Sequence, residues 1–374
     1  MTVTEQTQLA DHTTLGLGGP AGRFVRASSE AELVAAVRAA DAEGEPVLVL
    51  GGGSNLVVAD EGFPGVVIQV ATEGVTLAAD ADEVLLTVAA GENWDDLVQR
   101  AIGAELAGIE CLSGIPGRTG ATPIQNVGAY GQDVSQTVVA VRVYDRVLDA
   151  EIELPAAECG FGYRTSNFKR HATGGRGARL NAAAATGRHV VLSVSFRLTA
   201  AARSGPALSR PVRYAELAKL LGVAEGAQVP LAEARAAVLT LRRGKGMVLD
   251  AADPDTRSAG SFFTNPVISA GQLAVLESGL AARGWTGAVP HYPAAGGMVK
   301  IPAGWLIEQS GFGRGYPGSD ERGARISTKH TLALTSRGGS TADLLRLARE
   351  VRDGVLKASG VRLENEPVLI GGEL

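Results

Sequence analysis

The stretch GIPGRTGATPIQNVGAYG, residues 114–131, decides how this chain is read. It carries five glycines, an amide pair at Gln125 and Asn126, and one charged side chain, Arg118. Glycine loses more conformational entropy on folding than any other residue, so a cluster marks backbone that must approach something closely. Two readings fit the stretch alone. One is a tight irregular turn; the other is a cradle of N–H groups around an anion such as phosphate.

A second bare-backbone site lies upstream in LGGGSN, residues 50–55. An apolar run, three glycines and Ser-Asn fit a pyrophosphate loop with backbone N–H groups and the Ser54 hydroxyl as donors. A simple hairpin turn fits as well. The spacing is not GxGxxG and no Lys-Ser/Thr follows, which excludes the Rossmann and Walker A fingerprints. Two such loops, each beside expected strands, can grip a diphosphate from both sides, as an extended dinucleotide requires.

Bulk composition narrows the class. The chain has 374 residues, 45% hydrophobic and 20% charged, enough for two or three domains with a real core. Its 49 glycines cluster without a repeat period, which points to binding loops rather than a solenoid. A net charge of −5 with no basic block excludes a nucleic-acid role. Residues 1–8 are polar, and no apolar run approaches bilayer length, so a soluble, cytoplasmic chain with no membrane partner is expected. Cys111 and Cys159 fit neither a disulfide framework nor a metal pair, and His291 and His330 have no metal-spaced partners.

Along the chain, apolar periodicity predicts a helix over 30–43 and a buried strand breaking into a glycine turn over 46–58. Strands are expected at 65–70, 83–89, 137–154 and 189–198, with an amphipathic helix at 92–106. Residues 170–188 are weakly patterned and read as a mobile loop or insertion. One helical section is expected from Tyr214 to about Arg243, then helices near 269–283 and 340–359. The segment 361–372 reads as a strand carrying Glu364 and Glu366 on one face. Strands and helices mix without the alternation of a doubly wound sheet.

Several motifs occur in one order: HTTLGLGG (12–19), LGGGSN, GIPGRTGATPIQNVGAYG, CGFGYRTSNFK (159–169), AGSFFTNP (259–266), KIPAGWLIEQ (300–309) and LENEP (363–367). In this the chain closely resembles the UDP-N-acetylenolpyruvoylglucosamine reductases, the UDP-N-acetylmuramate dehydrogenases of early peptidoglycan synthesis. The resemblance implies an α+β fold: a vanillyl-alcohol-oxidase-type FAD-binding fold of two subdomains plus a C-terminal α+β substrate-binding domain. It implies FAD-binding subdomains at 1–68 and 69–243, with a loop insertion near 170–188 and a substrate lid near 206–243. A substrate domain at 244–368 and a tail at 369–374 follow. FAD is held non-covalently, NADPH is the hydride donor, and a monomer is expected.

The resemblance also assigns residues. Gly51, Gly52, Gly53, Ser54 and Asn55 contact the FAD diphosphate region. Gly114, Ile115, Pro116, Gly117, Thr122, Gln125, Asn126, Gly128 and Ala129 pass close to the cofactor. Arg118, Thr119 and Ala121 depart from the common pattern, where small or apolar residues and a glycine are frequent. The implied substrate is an enol ether bearing a carboxylate, reduced by hydride from flavin N5. Such chemistry needs cationic or donor groups at the carboxylate and a proton for the adjacent carbon. Arg164 matches the family arginine at the developing charge, Ser261 the proton donor, and Glu366 the catalytic glutamate that donates to the substrate carboxylate when protonated. Tyr214 and Lys245 match groups over the substrate diphosphate; Tyr163, Asn265, Tyr292 and Gln309 are further binding candidates. An FAD oxidase acting on a sugar or aldonolactone, and a non-catalytic nucleotide-sugar binder, are the competing readings.

Overall fold

Ser29 starts the first long helix by accepting the Glu32 N–H at 3.2 Å. Helix α1 runs Glu30–Glu43 and stops at Gly44, whose φ of +69° suits only a residue without a side-chain penalty. Its buried stripe of Leu33, Val34, Val37 and Ala40 faces a four-stranded sheet. That sheet orders Thr2–Glu5, Ala21–Ala27, Phe63–Val70 and Val47–Leu50, the last three mutually parallel. The computed structural model describes residues 2–5, 7–80, 82–172, 186–201, 205–319 and 321–374.

A second sheet is antiparallel, in the order Ala150–Pro155, Val138–Asp145, His189–Ala200, Glu83–Ala89 and Val75–Asp80, with Leu106–Ala107 pairing the long central strand. Helix α2, Trp94–Gly103, is capped by Asn93 Oδ1, which accepts from the Asp95 and Asp96 N–H groups. Its fully buried Trp94 lies 5.8 Å from the Phe196 ring. Burying a side chain such as Phe196 stabilises by about 1.5–3 kcal/mol, and one apolar core spans both sheets. Helix α3 covers Asn167–Ala172, α4 Ala215–Leu221 and α5 Leu231–Gly244. All of this lies in one compact unit, Met1–Thr7, Pro20–Gly53 and Phe63–Val248.

The other unit gathers Gln8–Gly19, Ser54–Gly62 and Leu249–Leu374. Helix α6 (Ala270–Ala282) begins with a capping box of Ser269 and Gln272. Helix α7 covers Ala303–Gln309 and α8 Thr341–Ser359, which opens on a second capping box, Ser340 and Asp343. The Asp60 carboxylate also accepts from the Thr341 and Ala342 N–H groups at 2.7 and 2.9 Å. Charge at a helix N-terminus is favourable there. Leu15, Leu17 and Val57 pack with Ile301, Leu306, Leu344, Ala348 and Val351, so the early segments complete this core.

Several expectations are corrected. The apolar run 46–58 is two strands in different units: Val47–Leu50 stays in the first, and Leu56–Val58 pairs in parallel with Val368–Ile370 in the second. The helical section after Tyr214 breaks over 222–230, where Gly222 takes φ +67° and Pro230 begins the next helix. Only Val368–Ile370 of 361–372 is a strand, and Glu364 and Glu366 precede it. Of the expected loop 170–188, residues to Ala172 end α3, and 173–185 lie outside the described residues. No helix among the described residues is long and apolar enough to cross a membrane.

Candidate active site

The first unit brings the two glycine-rich turns together. A Cβ on Gly52 would stand 2.7 Å from the Gly117 Cα, a clash with backbone that no rotamer relieves. Gly117 itself has φ +123°. The two chains pass as bare backbone, which is why neither position carries a side chain. The longer loop is pinned along its length. Gly114 N–H donates to Asp95 Oδ1 at 2.6 Å, Thr119 N–H to the Glu92 carbonyl and Gly120 N–H to the Ala90 carbonyl, both at 2.9 Å. Burial opposes charge on Asp95, but Arg235, paired at 2.6 Å, and the Gly114 N–H hold its pKa below the ordinary carboxylate value. Arg118 lays its Cβ 3.6 Å from where a Gly51 side chain would begin, and its Nη1 donates to the Gly91 carbonyl at 3.1 Å.

The amides of the PIQN segment act inside the protein. Asn126, at φ +44°, donates through Nδ2 to the Gly162 carbonyl at 3.0 Å and accepts from the Ser135 N–H at 3.1 Å. Gln125 Oε1 accepts from Lys169 Nζ at 2.9 Å. Asn126 thereby ties the glycine loop to a tight turn, Gly162 to Thr165, that carries Tyr163 and Arg164. Arg164 sits at φ +51°, an uncommon conformation for a non-glycine residue and a mark of functional sites. Its Nη2 donates to the Gly128 carbonyl at 2.6 Å, and a Gly128 side chain would meet Nη1 at 3.0 Å. Tyr163 is exposed, its ring 5.5 Å from the Arg164 guanidinium carbon.

Tyr214 and Lys245 both come up to the Tyr130 ring in this unit. Tyr214 stands at the start of α4 and contacts Tyr130 edge to face at 5.3 Å. Lys245 follows α5, with its ammonium 5.7 Å from the Tyr130 ring centre and 2.5 Å from Glu216 Oε2. Burial pushes the Tyr130 hydroxyl up to about 12, so it stays a neutral donor. The arm carrying Tyr214 has its own small core, Val212, Leu217, Val229 and Val238, around Cys111. Buried Glu110 fastens it further by accepting the Arg210 N–H at 2.6 Å and Gln132 Nε2 at 2.9 Å. Both cysteines are buried and free; burial raises the Cys111 thiol to about 12 and Cys159 to about 11.

The second unit assembles the other candidates. Phe262 and Phe263 are buried and turn Ser261 into a half-buried position just after Gly260, which has φ +73°. Phe263 bridges Asn365, the Glu366 N–H donates to the Phe262 carbonyl at 2.8 Å, and the Thr264 N–H to the Glu364 carbonyl at 3.0 Å. Two residues on, the Val368 N–H donates to the Asn55 carbonyl at 2.9 Å. Ser54 and Asn55, the SFF motif and LENEP are therefore one hydrogen-bonded seam. Within it Glu366 is half-buried, whereas Glu364 is exposed and faces Arg362 at 3.3 Å. Asn265 Oδ1 accepts the Ala303 N–H at 2.9 Å, at the start of α7, and Gln309 ends that helix. Helical rise separates Ala303 and Gln309 by about 9 Å. Tyr292 is exposed on a short strand opposite Lys300.

A family model described as an FAD binding domain matches residues 21–151. Another, described as the UDP-N-acetylenolpyruvoylglucosamine reductase C-terminal domain, matches residues 253–370. The UDP-N-acetylenolpyruvoylglucosamine reductase of Thermobifida fusca is 59% identical over 97% of this chain and 96% of its own. The chain belongs to the UDP-N-acetylenolpyruvoylglucosamine reductase family. The reductase of that name from Salinispora arenicola is 54% identical over 98% of this chain and 95% of its own. The crystal structure of the reductase from Thermus caldophilus covers 99% of both chains with a TM-score of 0.63 at 26% identity.

As a member of the reductase family with an FAD binding domain, the protein is a flavin-dependent oxidoreductase with an α+β fold. Both glycine turns fall inside the matched FAD binding domain, and a side chain at Gly52 would force them apart. Sequence reading passed over Tyr130, Glu216, Arg242 and Glu110. Tyr130 left a signal, an aromatic between Gly128 and Gly131 in the same motif. Arg242, beside Arg243 in LRRGK, left none, because its burial under Gly114 is a tertiary fact.

Proposed function

We propose that the protein reduces the enolpyruvyl group of UDP-N-acetylglucosamine enolpyruvate to UDP-N-acetylmuramate with NADPH, in the cytoplasm and as a monomer. The observation that carries this reading is the seam joining Asn55, Phe262, Glu366 and Val368, which binds the end of a cofactor turn to both expected proton-handling motifs. Bound FAD supplies the hydride chemistry; the protein supplies orientation and electrostatics.

Gly51–Gly53 and the 114–129 loop are proposed to cradle the cofactor, with Ser54 and Asn55 at the diphosphate end. Arg164 stabilises negative charge growing toward the substrate carboxylate. A guanidinium already oriented by the Gly128 carbonyl suits that role, because preorganised donors need no rearrangement as charge develops. Ser261 delivers a proton to the carbon next to the carboxylate, and Glu366 donates a hydrogen bond to the carboxylate itself. Tyr214 and Lys245 bind the diphosphate, and residues 206–243 cover it. Asn265, Gln309, Tyr163 and Tyr292 contact the nucleotide and sugar. In domain terms, 1–68 and 69–243 serve the flavin and 244–368 the substrate, with the strand Val368–Ile370 closing the chain's last domain.

An anaerobic titration tests the whole reading. NADPH should bleach the flavin, and the enolpyruvyl sugar nucleotide should then restore its colour stoichiometrically. A reduced flavin that ignores this substrate but reoxidises rapidly in oxygen with simple sugars would instead indicate an oxidase.

A further inference from the structure

We infer that Glu216 is a positioning residue for substrate binding, holding the Lys245 ammonium until a ligand diphosphate takes its place. The inference rests on the proposed role of Lys245. Glu216 lies in the first turn of α4 and Lys245 just beyond α5, so their 2.5 Å ion pair locks the two helices at the end that also presents Tyr214. Tyr130 closes the arrangement, its ring 5.7 Å from the ammonium and 5.3 Å from the Tyr214 ring. One cation is thus fixed by a carboxylate, an aromatic face and the elements around them.

The exposure of the pair allows exchange. Lys245 is 28% and Glu216 44% exposed, so an incoming anion reaches the ammonium without uncovering a buried charge. Two effects of Glu216 oppose each other. It orders a flexible lysine in advance, which lowers the entropy lost on binding. It also places a negative charge where a diphosphate must sit, which repels the ligand. A glutamine keeps the carbonyl acceptor for Lys245 and removes only the charge. The repulsion therefore decides the sign: Glu216→Gln should tighten diphosphate binding, by about two- to fivefold, the range expected of a half-exposed ion pair.

Calorimetric titration of UDP into the oxidised, FAD-loaded protein tests this. Glu216→Gln should lower the Kd for UDP by that factor, with the gain shrinking at high salt as screening weakens the repulsion. Glu216→Asp, which keeps the charge, should stay near wild type. Lys245→Met should weaken UDP binding at least tenfold, and adding Glu216→Gln to it should bring no gain. An unchanged or weaker affinity in Glu216→Gln while Lys245→Met is impaired overturns the role of Glu216 alone. A gain that persists without Lys245 overturns it as well. Undiminished UDP binding in Lys245→Met overturns the diphosphate role of Lys245, and this inference with it.

Discussion

The glycine cradle of the first unit and the seam of the second place their functional groups by opposite means. In the cradle, Gly52 and Gly117 pass so closely that neither position has room for a side chain. In the seam, buried Phe262 and Phe263 and two backbone bonds fix the chain, and Ser261 and Glu366, the proposed proton donor and carboxylate partner, are half-buried. The difference teaches where each region is fragile. An atom added where Gly52 crosses Gly117 should disturb the cradle through sterics, whereas the seam should tolerate small changes in shape and fail when a proton donor is lost.

The sharpest test of that contrast is Ser261→Ala. It removes one hydroxyl and leaves the Phe262 and Phe263 packing in place, so folding and flavin reduction by NADPH should stay nearly normal. Reoxidation by substrate should slow by about 10²- to 10⁴-fold, the usual range for a general acid. Ser261→Cys should recover part of the loss. Stopped-flow traces of the two half-reactions decide it, and wild-type reoxidation in the alanine variant removes Ser261 from the mechanism.

Next in size is a pair of neighbours in the cradle. Gly52→Ala drives a methyl to 2.7 Å from the Gly117 backbone, whereas Gly51→Ala meets Arg118 at an ordinary 3.6 Å. Overpacking of the first kind costs about 1–3 kcal/mol, so Gly52→Ala should lower Tm by several degrees and release flavin. Gly51→Ala should keep both nearly unchanged. Flavin fluorescence during a thermal ramp measures the two together, and equal behaviour of the variants would break the steric account.

Asn126→Asp should act by a different route. Its amide bond to the Gly162 carbonyl becomes two oxygens facing each other, which costs about 1–3 kcal/mol where the group is buried. Because that bond holds the turn bearing Arg164, flavin retention and substrate reoxidation should both fall moderately. Loss of flavin with unchanged reoxidation in the loaded fraction would confine Asn126 to the cofactor.

The smallest effect is alkaline. Burial raises the Cys111 thiol from 9.0 to about 12, so between those values the folded state keeps a proton that the unfolded state releases. The unfolded state then binds fewer protons, and stability falls as pH rises through that window. Tyr130, raised from 10.0 to about 12, acts in the same direction. Cys111→Ala should flatten the decline in urea midpoint between about pH 8 and about pH 10.5. A decline as steep as wild type would show that Cys111 carries none of it.

Much of this protein was legible as local pattern. The helix at 30–43 and the strand at 83–89 follow from short-range apolar periodicity, and the structure gives both the same limits. The two glycine turns announced themselves because only glycine suits a bare-backbone approach, and motif order pointed to the family. Tertiary structure decided what depends on partners far along the chain. Residues 54–62 join the second unit because Leu56–Val58 pairs with Val368–Ile370, about three hundred residues away. Glu364 and Glu366 looked equivalent as alternate residues of a strand, but the Phe263–Asn365 bridge leaves one exposed and the other half-buried. The contacts of Asn126 with Gly162 and of Glu216 with Lys245 are likewise tertiary. Hydrogen bonds and ion pairs of such long separation leave no period in a sequence, because they are selected by the fold that brings their ends together.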